Sequence, residues 1–265
     1  MRPIGCTVRG IRKMIYPSLV RVERMSYVPS PITERPPLPD SEWSTLSEVV
    51  QLLQYEGHCS AETHAPVFRR RRIRAGQSLF LMGQEFGGLY LVRHGCMKTV
   101  ITHAEGTEHV IAFSMQGDIL GAEGACQQHY WCESFALKDC EVIRLPVDDY
   151  FSHGRASDGV ERMLYWAISR EVCRRQAAYA IAHAAKSEVR VARFLIEQSE
   201  HYAALGYSAS QFTLPMTRRD IGSYLSITLE TVSRALSSLN QLQIIDVANR
   251  DILIHSLEEL QAYEG

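Results

Sequence analysis

No apolar run in this 265-residue chain approaches the roughly 18 residues that a membrane span needs. Residues 1–24 also lack the continuous apolar core and small-residue cleavage site of a secretory signal; they carry Arg2, Arg9, Arg12, Lys13, Arg21 and Arg24 against Glu23. The expectation is a cytoplasmic protein, in which seven cysteines, odd in number and irregularly spaced, read as reduced thiols rather than a disulfide framework. No Ser-His-Asp arrangement, P-loop or GxGxxG stretch is present, and Asp148-Asp149 follow Pro146 where a helix dipole favours acidic residues, so nothing points to an enzyme. Lysine is missing from residues 187–265. Six arginines there face ten acidic residues, a formal charge of −4 within a chain of net charge −2. That balance excludes a uniformly basic nucleic-acid binder and leaves only a local cationic face.

What is present divides into four stretches. Pro29, Pro31, Pro36, Pro37 and Pro39 predict a flexible extension over residues 1–40, and Met14 and Met25 leave open a later start. Residues 41–56 read as a short amphipathic helix capped by Ser41. From Pro66 to Pro146 the runs Ser78–Met82, Leu89–Val92, Met97–Thr102, His109–Phe113 and Glu141–Leu145 are punctuated by glycines. They predict a small antiparallel barrel or roll, a sensor-sized domain within residues 41–155. The basic run Arg69–Arg74 reads as a strand edge protected by its own charge rather than a phosphate patch.

Residues 157–185 then read as one long helix. Met163, Leu164, Ala167, Ile168, Val172, Ala177, Ala178, Ile181 and Ala185 supply more apolar surface than one face needs, and its alanines suit close helix packing. This predicts a homodimer seam through residues 160–185, the alternative being that the helix packs only on its own roll. Residues 187–205 continue as an amphipathic helix, and Ile244–Ala248 with Ile252–Ile254 flank Asn249-Arg250-Asp251 as a hairpin.

The most informative stretch is Thr217 to Arg234. Thr217 can cap a helix with Asp220 at its third position, and Thr228 can cap a second helix after a break at Ser226-Ile227. Ile221, Leu225, Ile227, Val232 and Leu236 are spaced to meet between the two, and Gly222 lets their backbones approach. Glu230, Thr231, Ser233 and Arg234 then face outward. Arg can bond guanine O6 and N7, Glu can accept from cytosine N4, and Ser or Thr suits thymine. Thr217, Arg218, Arg219 and Thr228 suit phosphate beside the exposed N–H groups at helix starts. The pattern is a helix-turn-helix that reads double-stranded DNA.

Roll, long helix and winged helix-turn-helix in this order resemble the Crp/Fnr family of bacterial transcription regulators over about residues 66–255. The matching segments are Gly76–Phe80, Gly117–Gly121, Met216–Gly222 and Glu230–Arg234. The resemblance implies an α+β chain with a jelly-roll-like sensor domain, a dimerisation helix over residues 156–186 and a DNA-binding domain over residues 187–265. Met216–Gly222 and Glu230–Arg234 look like the Fnr branch. There, the Glu, Ser and Arg of the second helix read a TTGAT half-site repeated as an inverted pair, which assigns those roles to Glu230, Ser233 and Arg234. The cyclic-AMP branch has Arg where this chain has Leu229 and Gly where it has Ser233. Ser226 departs from the glycine often found in such turns. RNA polymerase is the second partner the resemblance implies, and a protein-interaction module that has lost DNA binding is the rival reading.

The signal is less legible. Cyclic-nucleotide members use an Arg-Ser pair in the roll, whereas residues 94–143 contain no Arg, which argues against cyclic AMP. Oxygen-sensing members hold a [4Fe–4S] cluster on clustered N-terminal cysteines. Here Cys6 and Cys59 alone precede the roll, and no Cys-x2-Cys exists, which argues against that cluster. Cys126, His129 and Cys132, with Cys140 following, are candidate soft metal ligands, read alternatively as unligated thiols. His94, Cys96, His103 and His109 are candidate axial ligands for a haem. A thiol switch at Cys96, Cys126, Cys132, Cys140 or Cys173 is a further candidate. Whether the protein activates or represses is left open.

Overall fold

The computed structural model describes residues 42–57, 59, 67–103, 105–146, 158–183 and 186–264. The extension over residues 1–40, the Ser41 cap, Asp148-Asp149 and Ala185 lie outside them.

The first described element departs from expectation. Trp43–Thr45 is a strand (β1), and the helix α1 (Leu46–Leu53) begins after it. Thr45, in extended backbone, caps that helix by accepting from the Glu48 N–H at 3.3 Å. The β-prone Trp-Ser-Thr triplet pairs antiparallel with β2 (Val67–Ile73), Trp43 opposite Arg69.

β3 (Ser78–Phe80), β4 (Leu89–His94), β5 (Cys96–Thr102), β6 (Glu108–Met115), β7 (Ile119–Leu120), β8 (Glu133–Ala136) and β9 (Cys140–Leu145) complete two antiparallel sheets. One is ordered β1-β2-β9-β4-β7 and the other β3-β8-β5-β6. Their facing side chains build one core, with Leu79, Phe80, Leu89, Leu91, Met97, Val142 and Ile143 almost fully buried. Its interior is filled by aromatic rings. Tyr130 stacks on Phe80 at 4.0 Å, and its hydroxyl donates to the Gly88 carbonyl at 2.8 Å while accepting from the Gly87 N–H at 3.1 Å.

The arginines of β2 are only partly the solvated edge the sequence predicts. β1 covers Val67–Arg69, and Arg70 turns to Glu48 at 2.7 Å and to Ser44 at 2.8 Å. Glu48 also takes Arg93 at 2.7 Å, and Arg93 continues to Glu141 at 2.7 Å. Arg72 remains exposed.

α2 (Asp158–Ala182) runs from the roll toward the C-terminal domain. Val160, Met163, Leu164 and Ala167 are buried against the roll. This corrects the seam composition read from sequence: Met163, Leu164 and Ala167 cover the chain's own core. The large apolar groups that α2 leaves in solvent are Tyr165, Val172 and Tyr179, at 76%, 49% and 66% exposure. They recur every seven residues.

α3 (Ser187–Ala204), β10 (Gln211–Thr213), α4 (Arg218–Leu225), α5 (Leu229–Gln241), β11 (Ile245–Ala248), β12 (Asp251–Ile254) and α6 (Leu257–Ala262) form the C-terminal domain. The hairpin β11–β12 is joined by β10 into a three-stranded sheet, a strand the sequence reading missed. A second core spans two domains. Val100, Val110 and Phe113 from the outer side of β5–β6 pack with Phe194, Ile221, Tyr224 and Leu225. Phe113 lies 5.2 Å from Tyr224 and 6.1 Å from Phe194 between ring centres.

Between roll, α2 and α3 sits a buried polar cluster. Arg174 pairs with Asp118 and lies 3.4 Å from Glu171, which also takes Arg175 at 2.9 Å. His201 lies 3.8 Å from Asp118, and Tyr224 donates to Glu197 at 3.3 Å. Burial pushes Glu171 and Glu197 above the ordinary carboxylate value, although Arg174 opposes it at both. Burial likewise pushes His201 below its ordinary value, against the pull of Asp118.

A candidate DNA-reading face

The local chemistry of the helix-turn-helix is visible bond by bond. Thr217 stands in extended backbone and accepts from the Asp220 N–H at 3.1 Å; the Asp220 carboxylate accepts from the Thr217 N–H at 2.9 Å and its hydroxyl at 2.6 Å. This reciprocal capping box starts α4. Lys98, on β5, adds an ion pair to Asp220 at 3.0 Å. Burial alone would raise the Asp220 pKa, but the Thr217 bonds and Lys98 hold it below the ordinary value. The roll's hairpin makes a second contact, as the Val110 N–H donates to the Ser223 hydroxyl at 2.9 Å.

The turn requires two backbone allowances. A Cβ on Gly222 would stand 2.7 Å from the Ile227 carbonyl oxygen, so glycine permits the close approach of the helices. Ser226 occupies the left-handed region at φ 55°, where its N–H bonds back to Ser223 at 3.3 Å. Thr228 then caps α5, accepting from the Thr231 N–H at 3.2 Å. Val232, Ala235, Leu236 and Leu239 face the core, so α5 turns its other side outward.

That outer side carries the expected residues. Thr217, Arg219, Thr228, Glu230 and Arg234 are exposed, while Arg218, Thr231 and Ser233 are half-buried. The Glu230 backbone N–H and then the Thr228 hydroxyl hold the Glu230 carboxyl below its ordinary value, so it is an ionised acceptor at neutral pH. Arg234 rests against the Glu230 carbonyl at 3.4 Å, and Arg218 reaches across from α4 to donate to the Ser233 hydroxyl at 3.3 Å. A shallow recess adds Ser237, Ser238 and Gln241 to the same side. Their helical spacing from Ser233 and Arg234 was a signal available in the sequence. A second recess of about 190 Å³ between α4 and the wing is lined by Thr217, Arg218, Asn249 and Arg250.

The candidate ligands in the roll do not converge. The Cys132 thiol is buried and donates to Glu123 at 2.7 Å, and burial pushes its pKa far up. Cys126 and His129 are exposed and turned to the carbonyls of Glu123 and Gln127. Among the described residues no group of three His, Cys, Asp or Glu side chains is arranged to hold a metal ion. Burial pushes Cys96 up to about 12 and raises Cys140, so neither is a thiolate near neutral pH. Cys173 and Cys126 are exposed, as are His94 and His103, with His109 half-buried. Lys98 is engaged by Asp220, Glu123 places a carboxylate between β7 and β8, and Tyr130 is buried in the roll's core.

Comparison with known proteins agrees with the architecture. Residues 70–152 match the cyclic nucleotide-binding domain family and residues 189–263 the Crp-like helix-turn-helix domain family. The chain is 35% identical over 201 residues to the transcriptional regulatory protein btr of Bordetella pertussis, covering 75% of this chain and 82% of that one. It is 30% identical over 199 residues to the transcriptional activator protein anr of Pseudomonas aeruginosa, covering 75% and 82% respectively. The structure of FixK2 from Bradyrhizobium japonicum superposes with a TM-score of 0.67 at 25% identity, over 76% of this chain and 98% of that one. No helix among the described residues is long and apolar enough to cross a membrane.

Proposed function

This chain belongs to the Crp/Fnr family of DNA-binding transcription regulators, and we propose that it acts as a homodimer on a TTGAT-N4-ATCAA-like inverted repeat. The observation that carries the proposal is the side of a capped helix that holds exposed Glu230 and Arg234 with half-buried Ser233 between them. Arg234 supplies a bidentate donor for guanine and Glu230 an ionised acceptor for the cytosine amine. Arg219, Thr217 and Thr228 at the start of α5 supply phosphate contacts that set register. RNA polymerase is the proposed second partner.

The homodimer reading rests on α2. Exposed Tyr165, Val172 and Tyr179 repeat at seven residues, the period of a two-helix seam. A two-fold axis along that seam would set the two α5 helices about one DNA turn apart. We also propose that a signal in the roll changes this spacing through β5–β6, whose outer side packs on α4.

Fluorescence anisotropy with the palindromic duplex and a scrambled control tests the reading. Specific, salt-sensitive binding to the palindrome is expected, and equal affinity for both duplexes across redox states would refute it. Arg234→Ala should cost roughly 1–3 kcal/mol and relax discrimination at one G·C pair per half-site.

A further inference from the structure

The Ser233 hydroxyl has a direction imposed on it. A hydroxyl carries one hydrogen and two acceptor lone pairs, and a guanidinium can only donate. Arg218 Nη1 lies 3.3 Å from Ser233 Oγ, so in that bond the serine oxygen is the acceptor. Serines within helices often turn their own hydrogen back to the carbonyl one turn earlier. Ser237, one turn further along α5, does so, donating to the Ser233 carbonyl at 2.9 Å. Among the described residues the hydrogen bond at Ser233 Oγ is the one it accepts from Arg218. Its own hydrogen is therefore available outward, beside Glu230 and Arg234.

We infer that Arg218 is a positioning residue for base reading: it fills one of the two acceptor lone pairs of Ser233 and so biases that hydroxyl toward donating to a base. The base atoms it can then address in the major groove are acceptors, namely thymine O4, guanine O6 or N7, or adenine N7. The amines of adenine and cytosine, which require an acceptor, have only the second lone pair of Ser233 left to them and are the weaker match at that position. The three outward residues thus divide the work. Glu230 accepts, Arg234 donates twice, and Ser233 donates once with its polarity set from the neighbouring helix. The sequence alone casts Arg218 as a phosphate contact, and α4 places its guanidinium across the interhelical gap instead.

The inference rests on the DNA-reading function, and its test separates the two. The wild-type protein is first compared on the palindrome and a scrambled duplex; equal affinity ends both readings. Ser233→Ala then identifies the base pair whose discrimination Ser233 carries, expected to fall about tenfold. At that pair, duplexes lacking one base acceptor (7-deazapurine or 4-thiothymine) are compared with duplexes lacking the adenine amine (purine for adenine). Loss of affinity on removing the acceptor is expected; loss on removing the amine instead overturns the inference. This arm uses no variant at Arg218 and is unaffected if such variants fold poorly. Arg218→Met should flatten discrimination at the Ser233 pair and leave the pairs read by Glu230 and Arg234 intact. If Arg218→Met weakens all duplexes alike and lowers the salt slope by about one, Arg218 is a phosphate anchor and the inference is wrong.

Discussion

Ser226 carries backbone strain that a glycine would relieve. Its φ of 55° costs a residue with a Cβ about 1–2 kcal/mol, of which glycine's greater freedom in the unfolded chain returns roughly 0.5–1 kcal/mol. Ser226→Gly should therefore stabilise the protein by about 0.5–1 kcal/mol, read as a raised Tm; a lowered Tm would show that the serine side chain contributes something the backbone geometry hides. His201 gives a pH dependence of defined sign. Its folded pKa lies below the ordinary 6.5, so below pH 6.5 the unfolded chain binds more protons and stability falls as pH is lowered toward the folded value. Glu171 and Glu197 act in the opposite sense. Their folded pKa values lie above the ordinary 4.5, so they cost stability above pH 4.5 and that cost shrinks as pH falls through the raised values. His201→Gln should remove the loss below pH 6.5, so that the variant gains on the wild type between pH 7 and pH 6 in thermal melts. A constant difference across that window would contradict it.

At the scale of elements, the test of the seam is Val172→Asp. It places a charge on the exposed heptad face while leaving Met163, Leu164 and Ala167 against the roll. The expected outcome is an unchanged circular dichroism spectrum with a halved mass by light scattering. A dimer that persists would move the interface elsewhere. The two faces of this helix also show what sequence reasoning reaches. Its length and apolar excess were legible, but periodicity reports that a face is apolar and not which surface covers it. Met163 and Tyr165 could not be told apart by type. The helix-turn-helix was legible almost residue by residue, because capping boxes, turn breaks and core spacing are local. Asp220 was read correctly as a capping partner, while its bond to Lys98 was hidden by their separation of 122 positions along the chain. The strand Trp43–Thr45 was missed for the same reason, since its partner Val67–Arg69 lies beyond α1 in the chain.

At the scale of the whole molecule, roll and DNA-reading domain are coupled by three kinds of contact. Apolar packing joins Phe113 to Phe194 and Tyr224, an ion pair joins Lys98 to Asp220, and the buried charges around Arg174 tie both to α2. Lys98→Met removes the partly exposed ion pair and is expected to cost about 1 kcal/mol or less in stability. Its larger effect should be a changed ratio between the protein's affinities for the palindrome before and after the roll is perturbed. If that ratio is unaltered, the ion pair is not part of the coupling. The shared core has a consequence for modularity. Calorimetry should record one endotherm for both domains. A fragment beginning at Ser187 would expose Phe194, Ile221 and Tyr224 to water and should self-associate through them. The reading head of this regulator is not a portable part, and fusions that graft it onto another sensor should bring the β5–β6 hairpin along.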